Sequence, residues 1–184
     1  ETAGEVLQIQ GKVLPVTLEN VELCARLKDG TVLKGEKRIT ASSLLQRAGI
    51  QDIYLSPPVK ANPKAIQAIK EADLFILAPG NLYSSLIPNL LVRGIPEAIA
   101  SSRAQKVYVC NLITRRGQTE GFSVRHFVEE LERFAGHALF DTIIYNSQIP
   151  PGSLLKKYRR EGGLVLFEKP RNTRKNLEFY GFPL

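Results

Sequence analysis

The chain has 184 residues, 43% of them hydrophobic and 23% charged, with a net charge of +7. That length suits one domain, or one domain with a small appendage, and the composition is that of an ordinary globular protein. No apolar run approaches the roughly 20 residues that cross a bilayer. No signal peptide or Arg-rich transit segment opens the chain, so a cytoplasmic location is the expectation.

The first third reads as β-rich. "VLQIQG" and "KVLPVTLE" are short apolar or alternating runs. "VELCARL", "KDG" and "TVLKGE" together signal a hairpin, with Asp29-Gly30 supplying the turn. Thr40 begins "TASSLLQRAGI", a short helix or turn, and "IQDIYLSP" is a further strand that Pro57-Pro58 ends.

From there helices and strands alternate. "NPKAIQAIKEA" has Asn62 as N-cap, Pro63 at its first position, and Ala65, Ile66, Ile69 and Ala72 as an apolar face. "DLFILA" reads as a strand buried on both faces of a parallel sheet. "IPEAIASSRA" is a helix with an early proline, Pro96, and "KVYVCNL" the next strand. In "SVRHFVEELERFAG", Ser123 is the expected N-cap and Gly136 the stop. Val124, Phe127, Val128, Leu131 and Phe134 form its core stripe. "LFDTIIYN" is a third strand and "GLVLF" the expected fourth. This alternation predicts a parallel α/β sheet with right-handed crossovers.

Ligands of open α/β sheets bind beyond the carboxyl ends of the strands, and three such ends carry unusual chemistry. After "DLFILA", Gly80 permits close backbone approach, and Asn81, Tyr83, Ser84 and Ser85 offer hydrogen bonds. This loop is either a ligand wall on a helix N-terminus or a turn whose Ser84 or Ser85 only caps the helix. The second loop, Asn111 to Ser123, carries Asn111, Thr114, Arg115, Arg116, Thr119 and two glycines. It is a functional loop or a solvated crossover. Two such loops after neighbouring strands favour a shared cleft. "NSQIPPGSLL" is a third candidate wall, or an ordinary turn before a helix.

Other constellations are missing. There is no Walker-type loop, no G-x-G-x-x-G and no G-x-S-x-G elbow. His126 and His137 have no ligand or triad spacing and read as surface residues. Cys24 and Cys110, far apart in apolar runs, read as reduced and structural. Pro151 to Leu184 holds eight Lys/Arg against three Asp/Glu, a patch that would attract anions. In "KKYRR" (156–160) helical spacing favours a solvated face, and no stacking aromatics interleave to suggest nucleic acid. The chain contains no Met and begins at Glu1, which reads as part of a longer polypeptide.

The segment from Ala78 to Leu131, "APGNLYSSLIPNLLV…VCNLITRRGQTEGFSVRHFVEEL", resembles the central signature of the CofD-like (UPF0052) family, in particular its gluconeogenesis-factor branch. The pattern there is G-P-G-S-L-Y-T-S, then P-N-L-L-V, then N-x-M-T-x-x-G-E-T-x-G-[FY] after a strand. Here Ala78 replaces the first glycine, Asn81 the Ser, Ser84 the Thr and Ile113 the Met; Gln118 replaces Glu and removes a carboxylate. The match is specific over residues 73–131 and weaker through Gly11–Pro15 and the "DGTVLKGE" hairpin, which resemble the family's β insertion. The family's N-terminal G-G-G-T-G loop has no counterpart.

The resemblance implies a Rossmann-like, three-layer parallel α/β core over 59–184, with a small β-rich insertion over 1–58. It further implies a nucleotide-type ligand at the strand ends. The gluconeogenesis-factor branch is linked to UDP-N-acetylglucosamine, growth on gluconeogenic carbon sources and cell shape. The CofD branch makes a phosphodiester in coenzyme F420 biosynthesis. The expected site is Gly80, Asn81, Tyr83, Ser84 and Ser85 facing Asn111, Thr114 and Thr119, with no metal and no catalytic residue assigned. The expected partner is a nucleotide-sugar or similar phosphate-containing small molecule, with neither nucleic acid nor membrane insertion. A homodimer is a possible assembly, and a CofD-type transferase is the alternative function.

Overall fold

The computed structural model describes residues 11–42, 44–158, 162–168, 174 and 176–183. Strands β1 (Glu22–Leu27), β2 (Val32–Lys34) and β3 (Ile50–Ser56) form an antiparallel sheet in the order β2-β1-β3. The hairpin forms where predicted. Gly30 adopts φ +87°, and the Asp29 carboxylate accepts the Thr31 N–H at 2.9 Å. The bonds from Thr31 hold that carboxyl below its usual range. Ala25 and Leu27 of β1 and Ile53 of β3 belong to the core, and Cys24 is buried as well.

Three expectations for this region change. "KVLPVTLE" is not a strand: the Pro15 and Val16 carbonyls accept from the Asn62 side chain (3.0 Å) and backbone (2.7 Å) instead. Proline, lacking an N–H, suits that irregular path. The helix expected from Thr40 begins earlier and breaks in two, α1 (Glu36–Ala41) and α2 (Leu44–Ala48), because Ser42 turns extended. Of "VLQIQG", residues 6–10 lie outside the described residues, as do 159 and 160 of "KKYRR".

The second sheet is parallel, β4 (Leu74–Leu77), β5 (Gln105–Val109), β6 (Thr142–Asn146) and β7 (Glu178–Phe182), in that order. Helix α3 (Pro63–Glu71) leads into β4. A π-helical turn (Leu82–Leu86), α4 (Ile87–Leu90) and α5 (Ile95–Ser101) connect β4 to β5. Helix α6 (Val124–Ala135) joins β5 to β6, and α7 (Gly152–Tyr158) follows β6. The result is a mixed α/β fold with a parallel four-stranded and an antiparallel three-stranded sheet.

The fourth strand is β7 and not "GLVLF". In that run Leu164 makes only an isolated antiparallel bridge to Ile113. β7 was illegible because it contains Gly181 among exposed residues. That glycine lies opposite Tyr145, whose ring would sit 2.8 Å from an added Cβ. Nor is β4 buried on both faces. It is the edge of the sheet among the described residues: Phe75 and Leu77 pack toward the core, while Leu74 and Ile76 are 50% and 54% exposed.

One buried cluster links the two sheets. Leu27 and Ile53 of the antiparallel sheet share it with Ile87 and Leu90 of α4, Phe127 and Leu131 of α6, and Tyr108 and Ile143 of the parallel sheet. Each such fully buried side chain contributes on the order of 2–3 kcal/mol. Both cysteines are buried free thiols, and burial pushes the Cys110 thiol up to about 12. Among the described residues no helix is long and apolar enough to cross a membrane.

Asn62 shows how one cap organises the entry to the parallel sheet. Its Oδ1 accepts the Lys64 N–H at 3.0 Å while its Nδ2 donates to the Pro15 carbonyl. Asn62→Ala removes both bonds at a buried position, and a loss of about 1–2 kcal/mol in chemical denaturation is expected.

Candidate functional site

The first loop leaves the end of β4 at Ala78 and enters the π-helical turn, with Asn81 at the N-cap position. Two backbone N–H groups, of Ser85 and Leu86, converge on the Asn81 carbonyl at 2.8 and 3.0 Å. Such π-turns often mark functional positions. Ser84 and Ser85 therefore lie inside the turn, and neither caps a helix. Ser85 is exposed. Ser84 is only 7% exposed, and its Oγ has no hydrogen-bond partner. A buried hydroxyl left unpaired is costly. Gly80 packs closely: an added Cβ would come 2.8 Å from Leu86 Cδ2, so the Leu86 side chain would have to shift.

The second loop begins at Asn111, directly beyond β5. Its Nδ2 donates to the Gly80 carbonyl at 2.7 Å, and its Oδ1 accepts from the Tyr108 hydroxyl at 3.3 Å. The structure thus joins the two strand-end loops at Asn111 and Gly80. Beyond this bond, the loop is shaped by its threonines. Thr119 Oγ1 accepts the Arg115 N–H at 2.7 Å. Thr114 Oγ1 accepts the Gly163 N–H at 2.8 Å, and the Thr114 N–H donates to the Gly163 carbonyl at 2.7 Å. Both threonines are buried. Gln118 leaves its Oε1 buried without a partner. Arg115 reaches α1, where its Nη2 donates to the Thr40 carbonyl at 3.5 Å, and the Thr40 hydroxyl is itself buried and unpaired.

Tyr83 turns away from the loop surface. Its hydroxyl donates to Glu130 Oε1 of α6 at 2.9 Å, and Arg133 grips the same carboxylate with two bonds of 2.8 Å. Burial first, then the neighbouring Glu130 charge, pushes the Tyr83 phenol far above its usual value, so it stays a donor. For Glu130, burial alone would raise the pKa, but the Arg133 and Tyr83 bonds outweigh it and hold the carboxyl below its ordinary 4.5. A carboxyl depressed by folding stabilises the fold above its unfolded value and loses that contribution as pH falls through the lowered one. Glu130→Gln is therefore expected to cost about 1–2 kcal/mol at pH 7. In melting curves run from pH 7 downward, the gap to wild type should narrow as pH falls below 4.5 and through the lowered value.

Glu130, Arg133 and Thr40 were not legible as parts of this region. Glu130 sits beside the core residue Leu131 on an ordinary helix, and only tertiary contact shows its role. His126 was read as a surface residue, but it is half-buried. Its Nδ1 accepts the Ser123 N–H at 3.0 Å, closing the cap of α6, and its ring packs on Phe122 at 5.6 Å. Among the described residues no group of three His, Cys, Asp or Glu could hold a metal ion.

Known proteins give this geometry its context. Residues 1–177 match the family described as 2-phospho-L-lactate transferase CofD. The chain is 40% identical over 158 residues to a putative gluconeogenesis factor of Thermotoga maritima, covering 85% of this chain and 48% of that protein. It is 39% identical over 159 residues to the gluconeogenesis factor of Bacillus subtilis, covering 86% and 49%. A crystal structure of a UPF0052 family member from Bacillus halodurans superposes with a TM-score of 0.81 at 33% identity, over 91% of this chain and 54% of that one. The chain thus spans about half the length of these relatives. With nearly its whole length matched and its fold shared, the chain belongs to the CofD (UPF0052) family.

Proposed function

We propose that this chain forms part of a gluconeogenesis factor, a non-catalytic protein that binds a nucleotide-sugar, UDP-N-acetylglucosamine, and regulates carbon metabolism and cell shape. The observation that supports the site is the Asn111–Gly80 bond, which brings two strand-end loops together, each holding a buried unpaired polar atom, Ser84 Oγ and Gln118 Oε1. The names of the relatives support the biological role. In this reading the diphosphate meets the Gly80 backbone, Asn81, Ser84 and Ser85, and Asn111 with the Thr114–Thr119 loop forms the facing wall. Thr114 and Thr119 hold that wall through the bonds described above, and Tyr83 fastens the opposite wall to α6.

Calorimetric titration of the full-length protein with UDP-N-acetylglucosamine tests this. Asn81→Ala removes a contact and Thr119→Ala loosens the wall, and each is expected to weaken binding about tenfold. Wild-type affinity in both variants would show the site to be wrong. The description of the matched family favours one second reading, a transferase of the CofD type. Turnover of a deazaflavin with a nucleotide-activated lactate would establish it instead.

A further inference from the structure

One helix carries both walls of the proposed cleft. The Asn111–Ser123 loop runs directly into α6, where the Ser123 carbonyl accepts the Phe127 N–H at 3.2 Å. Glu130 lies seven residues beyond Ser123, about 10 Å along the axis, and holds the other wall. It accepts the Tyr83 hydroxyl, which comes from the π-helical turn, at 2.9 Å. The helix is itself fixed, with Val124, Phe127, Val128 and Leu131 buried in the core. The two loops are therefore joined twice, at the strand ends by the Asn111–Gly80 bond and at α6 by the Tyr83–Glu130 bond. We infer that Glu130 is a positioning residue of the ligand site. Through Tyr83 it places the π-helical turn, and so sets the spacing of the two walls that the diphosphate bridges. The inference rests on the reading given under Proposed function and adds a residue outside the cleft that controls its affinity.

The turn can be steered from α6 because Tyr83 lies inside it, directly before Ser84, and is only 5% exposed. Its ring meets Phe134 of α6 edge-on at 6.4 Å, so ring and hydroxyl fix it at two points. A shift of Tyr83 moves Ser84 and Ser85 with it. The carboxylate is held as firmly as the tyrosine. Arg133 donates to both of its oxygens at 2.8 Å, and the guanidinium lies 4.0 Å from the Phe134 ring centroid. A carboxylate locked in this way transmits direction, where a freely rotating one would not. Nor is the charge needed to seat α6, whose apolar stripe already does so. The Glu130 side chain is 18% exposed, and taking a carboxylate out of water costs more than placing an apolar side chain there. What it adds is an oriented acceptor for Tyr83. Walls fixed in advance spare the ligand the cost of ordering them, and small displacements of such supporting contacts loosen a site.

The test titrates the full-length protein with UDP-N-acetylglucosamine by calorimetry and records a melting curve for each variant. Tyr83→Phe keeps the ring and Glu130→Leu keeps the bulk, and each breaks the bond between them. Either is expected to weaken binding about tenfold. The double variant should bind no worse than the weaker single one, since both changes remove the same bond. Glu130→Gln retains an oxygen for the Tyr83 hydroxyl, and is expected to recover most of the affinity lost in Glu130→Leu although its melting temperature falls. Asn62→Ala, destabilised at the start of α3, should bind as wild type. Affinity that follows the melting temperature across these variants overturns the positioning role, because Glu130 would then act on stability alone. Additive losses in the double variant overturn it as well. If Tyr83→Phe and Glu130→Leu bind as wild type while Asn81→Ala and Thr119→Ala weaken binding, the positioning role falls and the cleft stands. If Asn81→Ala and Thr119→Ala also bind as wild type, the cleft reading falls with it.

Discussion

Gly162→Ala is expected to lower the melting temperature by roughly 5–15 °C, a loss of about 2–4 kcal/mol. A Cβ at this position would overlap the carbonyl of Thr114, a backbone group that cannot rotate aside. Relief requires the 162–165 segment to separate from the Asn111 loop. That separation forfeits the Thr114–Gly163 hydrogen bonds and the Ile113–Leu164 bridge. Gly152→Ala is the matched control: its added Cβ meets nothing within 4 Å, so its effect should stay within about 0.5 kcal/mol. A Gly162→Ala chain melting with wild type would show that the close approach of these two segments does not hold the structure together.

Asn111→Leu carries the second large effect, because one side chain bonds both the buried Tyr108 hydroxyl and the half-buried Gly80 carbonyl. The Tyr108 hydroxyl belongs to a fully buried residue stacked on Phe140 at 5.3 Å. It would lose the Asn111 acceptor and keep only the Cys110 thiol, and the Gly80 carbonyl would lose its donor. Leaving buried polar groups unpaired costs about 1–3 kcal/mol each, so a total of about 2–4 kcal/mol is expected by urea denaturation. Asn111→Asp should not rescue it, since a carboxylate oxygen would then face the Gly80 carbonyl. In a Tyr108→Phe background the hydroxyl is already absent, and Asn111→Leu should cost measurably less. Equal costs in both backgrounds would remove Tyr108 from the account.

These two positions also show where the sequence stopped being informative. Asn111 stood out because a polar residue directly beyond a buried strand is legible from the alternation of apolar runs and polar loops. Gly162 did not, because its constraint is a carbonyl 48 residues earlier in the chain. The same division holds across the site. Asn81, Ser84 and Asn111 were named from the loop sequences alone. That Tyr83 bonds Glu130, 47 residues away, and that Thr114 bonds Gly163, 49 residues away, depended on contacts no local pattern encodes.

By itself, the sequence determined the alternating α/β order, the Asp29-Gly30 hairpin, the Asn62 and Ser123 caps, the Gly136 stop and the two polar loops at strand ends. Each of these depends on a few neighbouring residues: a periodicity, a capping side chain, or a glycine at positive φ. The tertiary structure alone decided that β4 is an edge, that β7 and not "GLVLF" is the fourth strand, and that His126 closes a cap from a half-buried position. It also decided that Ser84 is buried without a partner while Tyr83 is fully engaged. Strand partners and burial are set by which distant surfaces meet, and an apolar run such as "LVLF" carries the same local signal whether it pairs in a sheet or only lines a cavity.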